Sequence, residues 1–209
     1  MSDSQTAKYD LCIIGTGLAG LAATMFAVNR GLSCVQVGQT GEINFSSGLL
    51  DLLGVHPVGE KNALSDPWAG IDALVRDIPE HPYARLPKED IQAAFKELLS
   101  FLKETGLTYH RRMNHNSAVL TSLGTLKPTY GVPHTMWNGV AALKKNPAGL
   151  ILDIRGLKGF SARQIAAALQ NDWPDLLTGR ISFPGMDHLN EVYPEHMANA
   201  LILPENREK

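Results

Sequence analysis

No uninterrupted apolar run in this sequence approaches the ~20 residues a helix needs to cross a bilayer, so a direct membrane span is not expected. Met1 to Lys8 is polar and lacks the basic start and apolar core of a secretory signal. Cytoplasmic residence is therefore the expectation. Cysteine is scarce: Cys12 and Cys34 fall in expected core strands, where buried free thiols in a reducing compartment are the natural reading. No CxxC, HExxH or similar spacing occurs, so a protein-bound metal is not expected. Charge of one sign is lacking too. The formal net charge is -2, and Lys144-Lys145 and Arg111-Arg112 are isolated pairs rather than a basic stripe, so no nucleic acid is expected as partner.

What is present begins at Leu11. The short apolar run Leu11 to Ile14 breaks into Gly15-Thr16-Gly17-Leu18-Ala19-Gly20, then into a small-residue helix that Gly31 ends before a second apolar run, Leu32 to Val37. Strand, glycines and helix stand in the order of a dinucleotide site. Gly15 makes the tight turn, Gly17 lets backbone amides close on a phosphate, and Gly20 lets the helix lie against its strand. The helix N-terminus, with unpaired N–H groups and roughly half a positive charge, favours an anion. A tight βα turn that serves geometry alone is the alternative.

One group expected of such a site is missing. An Asp or Glu ~20 residues past the glycines usually accepts the ribose hydroxyls. Here the strand tip reads Val35-Gln36-Val37-Gly38-Gln39, and the next acid, Glu42, comes late. A carboxylate acceptor contributes ~1.5–3 kcal/mol per bond, against ~0.5–1.5 for a neutral amide. Two explanations compete: FMN replaces FAD, or Gln39 and backbone groups take the ribose. NADP lacks an Arg or Lys at that tip to meet a 2′-phosphate.

Downstream, Phe45-Ser46-Ser47-Gly48 suits a loop pressed against a flat ring or a phosphate, with an ordinary polar connection as the alternative. Helices are expected from Ser65-Asp66-Pro67 to near Ile78 and from Pro87 to Thr105. The texture then changes to short strands at Thr108–His110, Ala118–Ser122, Thr125–Tyr130, Leu150–Ile154 and Arg180–Phe183, with a helix opened by the Ser161-Ala-Arg-Gln164 capping box. The apolar run His196 to Leu203 wants a partner. The expected fold is α/β: a Rossmann-like FAD/NAD(P)-binding βαβ unit with an inserted helical and mixed α+β lobe. Residues 1–63 form the flavin-binding unit and serine loop, and residues 64–209 the lobe.

These segments carry a resemblance. Asp10-Leu-Cys-Ile-Ile-Gly-Thr-Gly-Leu-Ala-Gly-Leu21, Phe45-Ser-Ser-Gly-Leu-Leu-Asp-Leu-Leu53, His81-Pro-Tyr83, Ser122-Leu-Gly-Thr-Leu126 and Gly149 through Leu169 resemble the N-terminal half of the B-subunits of anaerobic glycerol-3-phosphate dehydrogenases. The resemblance implies a flavoprotein subunit that helps pass electrons from sn-glycerol 3-phosphate oxidation to quinone, with FMN as its cofactor and FAD as the alternative. It implies that Gly15, Gly17, Leu18, Ala19 and Gly20 hold the flavin phosphate, and that Ser46, Ser47 and Gly48 line the flavin. It also implies two partners, a catalytic flavoprotein subunit and a membrane-anchoring iron–sulfur subunit, and a peripheral position on the inner face of the membrane. Members of that family are much longer and close the site with a C-terminal glycine-rich segment, so the chain is expected to be truncated relative to them or completed by a second chain.

No catalytic residue is assigned. His110-Arg111-Arg112 joins a possible base to a possible phosphate clamp, with an exposed strand end as the alternative; His81 and His134 have no spacing that fixes a role. Two other functions remain open: a non-catalytic assembly module with an empty nucleotide site, and an NAD(P)-dependent reductase.

Overall fold

A computed structural model describes residues 8–39, 46–60 and 62–208. The chain opens with β1 (Leu11–Ile14), α1 (Leu18–Asn29) and β2 (Cys34–Val37). β1 and β2 pair in parallel with Leu11 opposite Cys34 and Ile14 opposite Val37. Ile13 and Gln36 are opposite each other and point to the α1 side, so by strand alternation Cys12, Ile14, Val35 and Val37 point away from it. Among the described residues that second face is largely uncovered: Ile14 is 86% exposed. Both thiols are free, Cys12 exposed and Cys34 half-buried, which corrects the expectation of buried cysteines. The reason is the pleat, since Cys12 lies on the face that no described helix covers.

Two helices follow. α2 (Pro67–Asp77) starts where Asp66 caps Trp68 N at 2.9 Å and Ala69 N at 3.2 Å, and α3 (Lys88–Glu104) ends just before Gly106, which has φ +90°. Then come β3 (Tyr109–His110), β4 (Ser117–Leu120), β5 (Leu126–Thr129) and β6 (Val132–Pro133). β3 pairs antiparallel with β6, and β4 with β5. α4 (His134–Lys145) follows β6 directly and is absent from the sequence expectations. Met136, Val140 and Leu143 at helical spacing, Lys144-Lys145 in its last turn and Asn146 in the left-handed region beyond it are the signals that mark it.

A second parallel crossover follows: β7 (Gly149–Ile154), α5 (Ala162–Leu169) and β8 (Leu176–Ile181). Ser161 caps α5 at Gln164 N, 3.3 Å, as the capping box predicts. β8 begins at Leu176, earlier than the expected Arg180, because Gly179 sits inside the strand under Leu150 and Leu152. α6 (Pro194–Ala200) and α7 (Pro204–Arg207) complete the order. The core is divided among three clusters. Leu52, Trp68, Ile71 and Tyr130 form the first; Val119, Val132 and Val140 the second; Ile165, Leu169 and Trp173 the third. Like the first parallel pair, β7–β8 leaves an apolar face open, with Leu150 59% and Leu177 67% exposed. No described helix is long and apolar enough to cross a membrane.

Candidate functional site

The glycine turn is built by contacts that only glycine permits. Gly15 has φ +113°, a conformation that a side chain would strain, and its N–H donates to Val37 O at 2.7 Å. A Cβ on Gly20 would stand 2.2 Å from Gly15 O, so the first turn of α1 rests directly on the end of β1. Gly17 is the N-cap residue, in an extended conformation, and no side chain caps the helix. The first backbone bond of the helix is Leu21 N to Gly17 O, 3.0 Å, so the amides of Leu18, Ala19 and Gly20 have no acceptor in their own helix. No acidic residue stands in that turn to offset its positive end. Among the described residues, a Cβ on Gly17 would meet nothing within 4 Å. The arrangement fits a phosphate group.

The tip of β2 is folded onto this turn. Gln36 Nε2 donates to Gly15 O at 2.8 Å, and Thr24 Oγ1 lies 3.1 Å from Gln36 Oε1 and 3.0 Å from Gly20 O. Gln36 thus braces the glycine turn, a role that its position as the neutral substitute for an acid did not reveal. Thr16 Oγ1 donates to Gln39 O, which ties the backbone of Gln39 to the turn while its residue stays exposed. Gly38 allows the approach: a Cβ there would lie 2.9 Å from Thr16 Cγ2. No carboxylate of the described residues at this tip stands where an adenosine ribose would be held.

Within the serine loop, Phe45 lies outside the described residues. Ser46 Oγ accepts from Gly48 N at 3.2 Å, and Ser47 Oγ accepts from Leu49 N at 3.3 Å. Gly48 has φ +71°. Tyr109, on β3, donates its hydroxyl to Gly48 O at 2.7 Å, and burial pushes its phenol above the usual range so that it remains a donor.

A groove of about 600 Å³ runs between α1 and the C-terminal half of α3. Leu18, Leu21 and Met25 form one wall, Leu98, Phe101 and Leu102 the other, with Gln36, Ser46, Gly48 and Tyr109 along it. The fold therefore brings Leu18, Ser46 and Gly48 to one groove. Gly15, Gly17, Ala19 and Gly20 belong to the turn at the start of α1, Ser47 to the loop behind Ser46, and Gln39 to the tip of β2; none of these lines the groove. The two walls are cross-linked by Glu97, which accepts from Asn29 at 2.8 Å and from Arg30 at 3.3 Å. Those two donors, Asn29 first, hold its carboxyl below the usual carboxylate range.

The other polar candidates are engaged elsewhere. His110 Nε2 and His134 Nδ1 share a hydrogen bond at 2.7 Å, and the His110 ring stacks on Trp137. The Arg111 guanidinium lies over the Tyr130 ring and is engaged there, while the backbone of Arg112 bridges to His115 across a tight turn. His81 Nδ1 accepts from Tyr83 N at 3.2 Å in a packing role. Among the described residues no group of three or more His, Cys, Asp or Glu could hold a metal ion.

A family model described as FAD binding domain matches residues 10–207. The B-subunit of the anaerobic glycerol-3-phosphate dehydrogenase of Yersinia pestis bv. Antiqua (strain Antiqua) is 32% identical over 212 residues, covering 96% of this chain and 49% of that protein. The protein of the same name from Pectobacterium atrosepticum is 30% identical over 207 residues with the same coverage. That of Vibrio vulnificus is 34% identical over 125 residues, 59% of this chain and 28% of that protein. The chain spans about half the length of the first of these curated relatives. No solved structure matches the chain.

Proposed function

The chain belongs to the FAD-binding domain family, and from that membership we propose that it is a flavin-binding subunit of an anaerobic glycerol-3-phosphate dehydrogenase. The observation that carries this reading is the uncapped first turn of α1, held open by Gly17 and seated on β1 through Gly20. In this reading residues 1–63 form the cofactor unit and residues 64–209 the lobe that closes on it. The amides of Leu18, Ala19 and Gly20 hold the flavin phosphate, with Gly15 shaping the turn, and Ser46, Ser47 and Gly48 meet the flavin. A bound flavin supplies a two-electron acceptor. The chain's own residues orient it, and the leucine-lined groove keeps water from its ring. FMN is favoured over FAD because the β2 tip, among the described residues, offers Gln39 and no carboxylate, which withholds the stronger hydrogen bonds an adenosine ribose would take.

The curated relatives are named as subunits of a larger dehydrogenase, so the partners proposed are a catalytic flavoprotein subunit and a membrane-anchoring iron–sulfur subunit. Through them electrons from sn-glycerol 3-phosphate would reach quinone at the inner face of the membrane. The test is cofactor analysis by mass spectrometry on the protein as purified, with titration by FMN and FAD. A yellow protein binding FMN more tightly than FAD is expected. A colourless protein that ignores both overturns the reading.

A second reading, a non-catalytic assembly module, is favoured by one observation. Two parallel strand pairs each present a bare apolar face, at Ile14 and at Leu150 and Leu177, whereas parallel sheets are ordinarily covered on both faces. A pull-down that captures a dehydrogenase subunit while the chain retains no flavin would favour it.

A further inference from the structure

The serine loop is held by a residue 61 positions away in sequence, outside the cofactor unit. The peptide joining Gly48 to Leu49 is gripped at both ends. Its carbonyl accepts from Tyr109 Oη at 2.7 Å, and its N–H donates to Ser47 Oγ at 3.3 Å. The preceding amide, Gly48 N, donates to Ser46 Oγ at 3.2 Å. Each serine oxygen is therefore committed as an acceptor to the backbone, and neither hydroxyl donates to another described residue. Both serines are exposed, so each hydroxyl proton is open to water or to a ligand. Ser46 and Tyr109 border the same groove. Gly48 sits at φ +71°, so the loop's course depends on a conformation that an untethered peptide has little reason to keep.

We propose that Tyr109 is a positioning residue for flavin binding: its hydroxyl fixes the plane of the 48–49 peptide and so holds the Ser46 hydroxyl at the groove. This rests on the flavin-binding reading above. Tyr109 is well placed for the task. It stands on β3 opposite Pro133, whose Cγ would lie 3.8 Å from a Cβ on Gly48, so strand pairing in the lobe sets where the loop may rest. Its burial keeps the phenol protonated, a donor throughout the physiological range.

The experiment compares wild type, Tyr109→Phe, Ser46→Ala and the double variant of the same 209-residue protein by FMN titration, visible absorption of the bound flavin and thermal melting. Loss of one neutral hydrogen bond predicts about three- to tenfold weaker FMN binding in Tyr109→Phe. A shift in the bound flavin's absorption bands accompanies it, and the melting temperature is close to wild type. Because the tyrosine acts through the serine loop, the double variant should bind little more weakly than Ser46→Ala alone. Tyr109→Phe that binds FMN like wild type with an unchanged spectrum overturns the proposal and leaves the flavin reading standing. Additive losses in the double variant, or a loss matched by a lowered melting temperature, assign Tyr109 to general structure and overturn it as well. Wild type that binds no flavin removes the parent reading, and this inference falls with it.

Discussion

At the scale of single residues, Gly17 and Gly20 separate binding from folding. Both belong to one motif, yet their surroundings are opposite. A Cβ at Gly20 would overlap Gly15 O at 2.2 Å, and the neighbour is backbone that cannot swing aside. Gly20→Ala should cost about 1–3 kcal/mol of stability as an overpacked contact, seen as a lower denaturant midpoint with or without flavin. Gly17 has no described neighbour within 4 Å of an added Cβ and already has φ -74°, which alanine accepts. Gly17→Ala should unfold within about 1 kcal/mol of wild type. Its methyl group would stand where the phosphate must approach, so flavin affinity should fall at least about tenfold, roughly 1.4 kcal/mol. Equal stability losses in the two variants, or undiminished flavin binding by Gly17→Ala, would contradict this division. The turn at Gly15 and the close packing at Gly20 were legible in the sequence because both are set by neighbours within a few residues. Gln36 and Tyr109 were not, because their partners, Gly15 O and Gly48 O, come from distant segments that only the folded chain brings close.

At the scale of elements, the groove exists because α1 and α3 stand side by side, and Glu97 is the charged link between them. Its carboxyl is held below the ordinary range by Asn29 and then Arg30. Asp10 is likewise held low, by the hydroxyl of Ser33 at 2.7 Å and its N–H at 2.9 Å, where β1 begins beside β2. For a group whose folded pKa is depressed, the stabilisation is fully present above the ordinary carboxylate value. It is lost as pH falls through the lower folded value. Wild type should therefore lose stability on acidification from about pH 5 to pH 3, and Glu97→Gln, which cannot titrate, should show a shallower loss over the same window. Chemical unfolding across that range is the measurement, and parallel curves for the two proteins would refute the role of Glu97. The helices that make this groove are readable locally, α2 from Asp66-Pro67 and α3 from its periodic apolar face. α4 escapes because Pro133-His134 offers no capping side chain and Gly139 interrupts its middle. Cys12 misleads for another reason: an apolar strand announces that it is buried without saying on which face.

At the scale of the whole molecule, the three core clusters each hold one of the three tryptophans: Trp68 in the first, Trp137 against the second and Trp173 in the third. The segment after the serine loop ties the site to two of them, since Leu52 lies in the first cluster and Leu49 packs on the second. The third cluster draws on β4, α4, β7, α5 and β8 and on no residue of that segment. A ligand that binds only the folded state stabilises whatever unfolds together with its site, by about 2.7 kcal/mol at a hundredfold excess over Kd. Single-tryptophan variants, the other two replaced by phenylalanine, turn this into a map. With FMN at that excess, the unfolding transitions reported by Trp68 and Trp137 should move upward together, and the one reported by Trp173 should move least. A common shift at all three would mean that the chain unfolds as one cooperative unit despite its divided core. A shift at none would mean that FMN does not engage the α1 cradle and the serine loop.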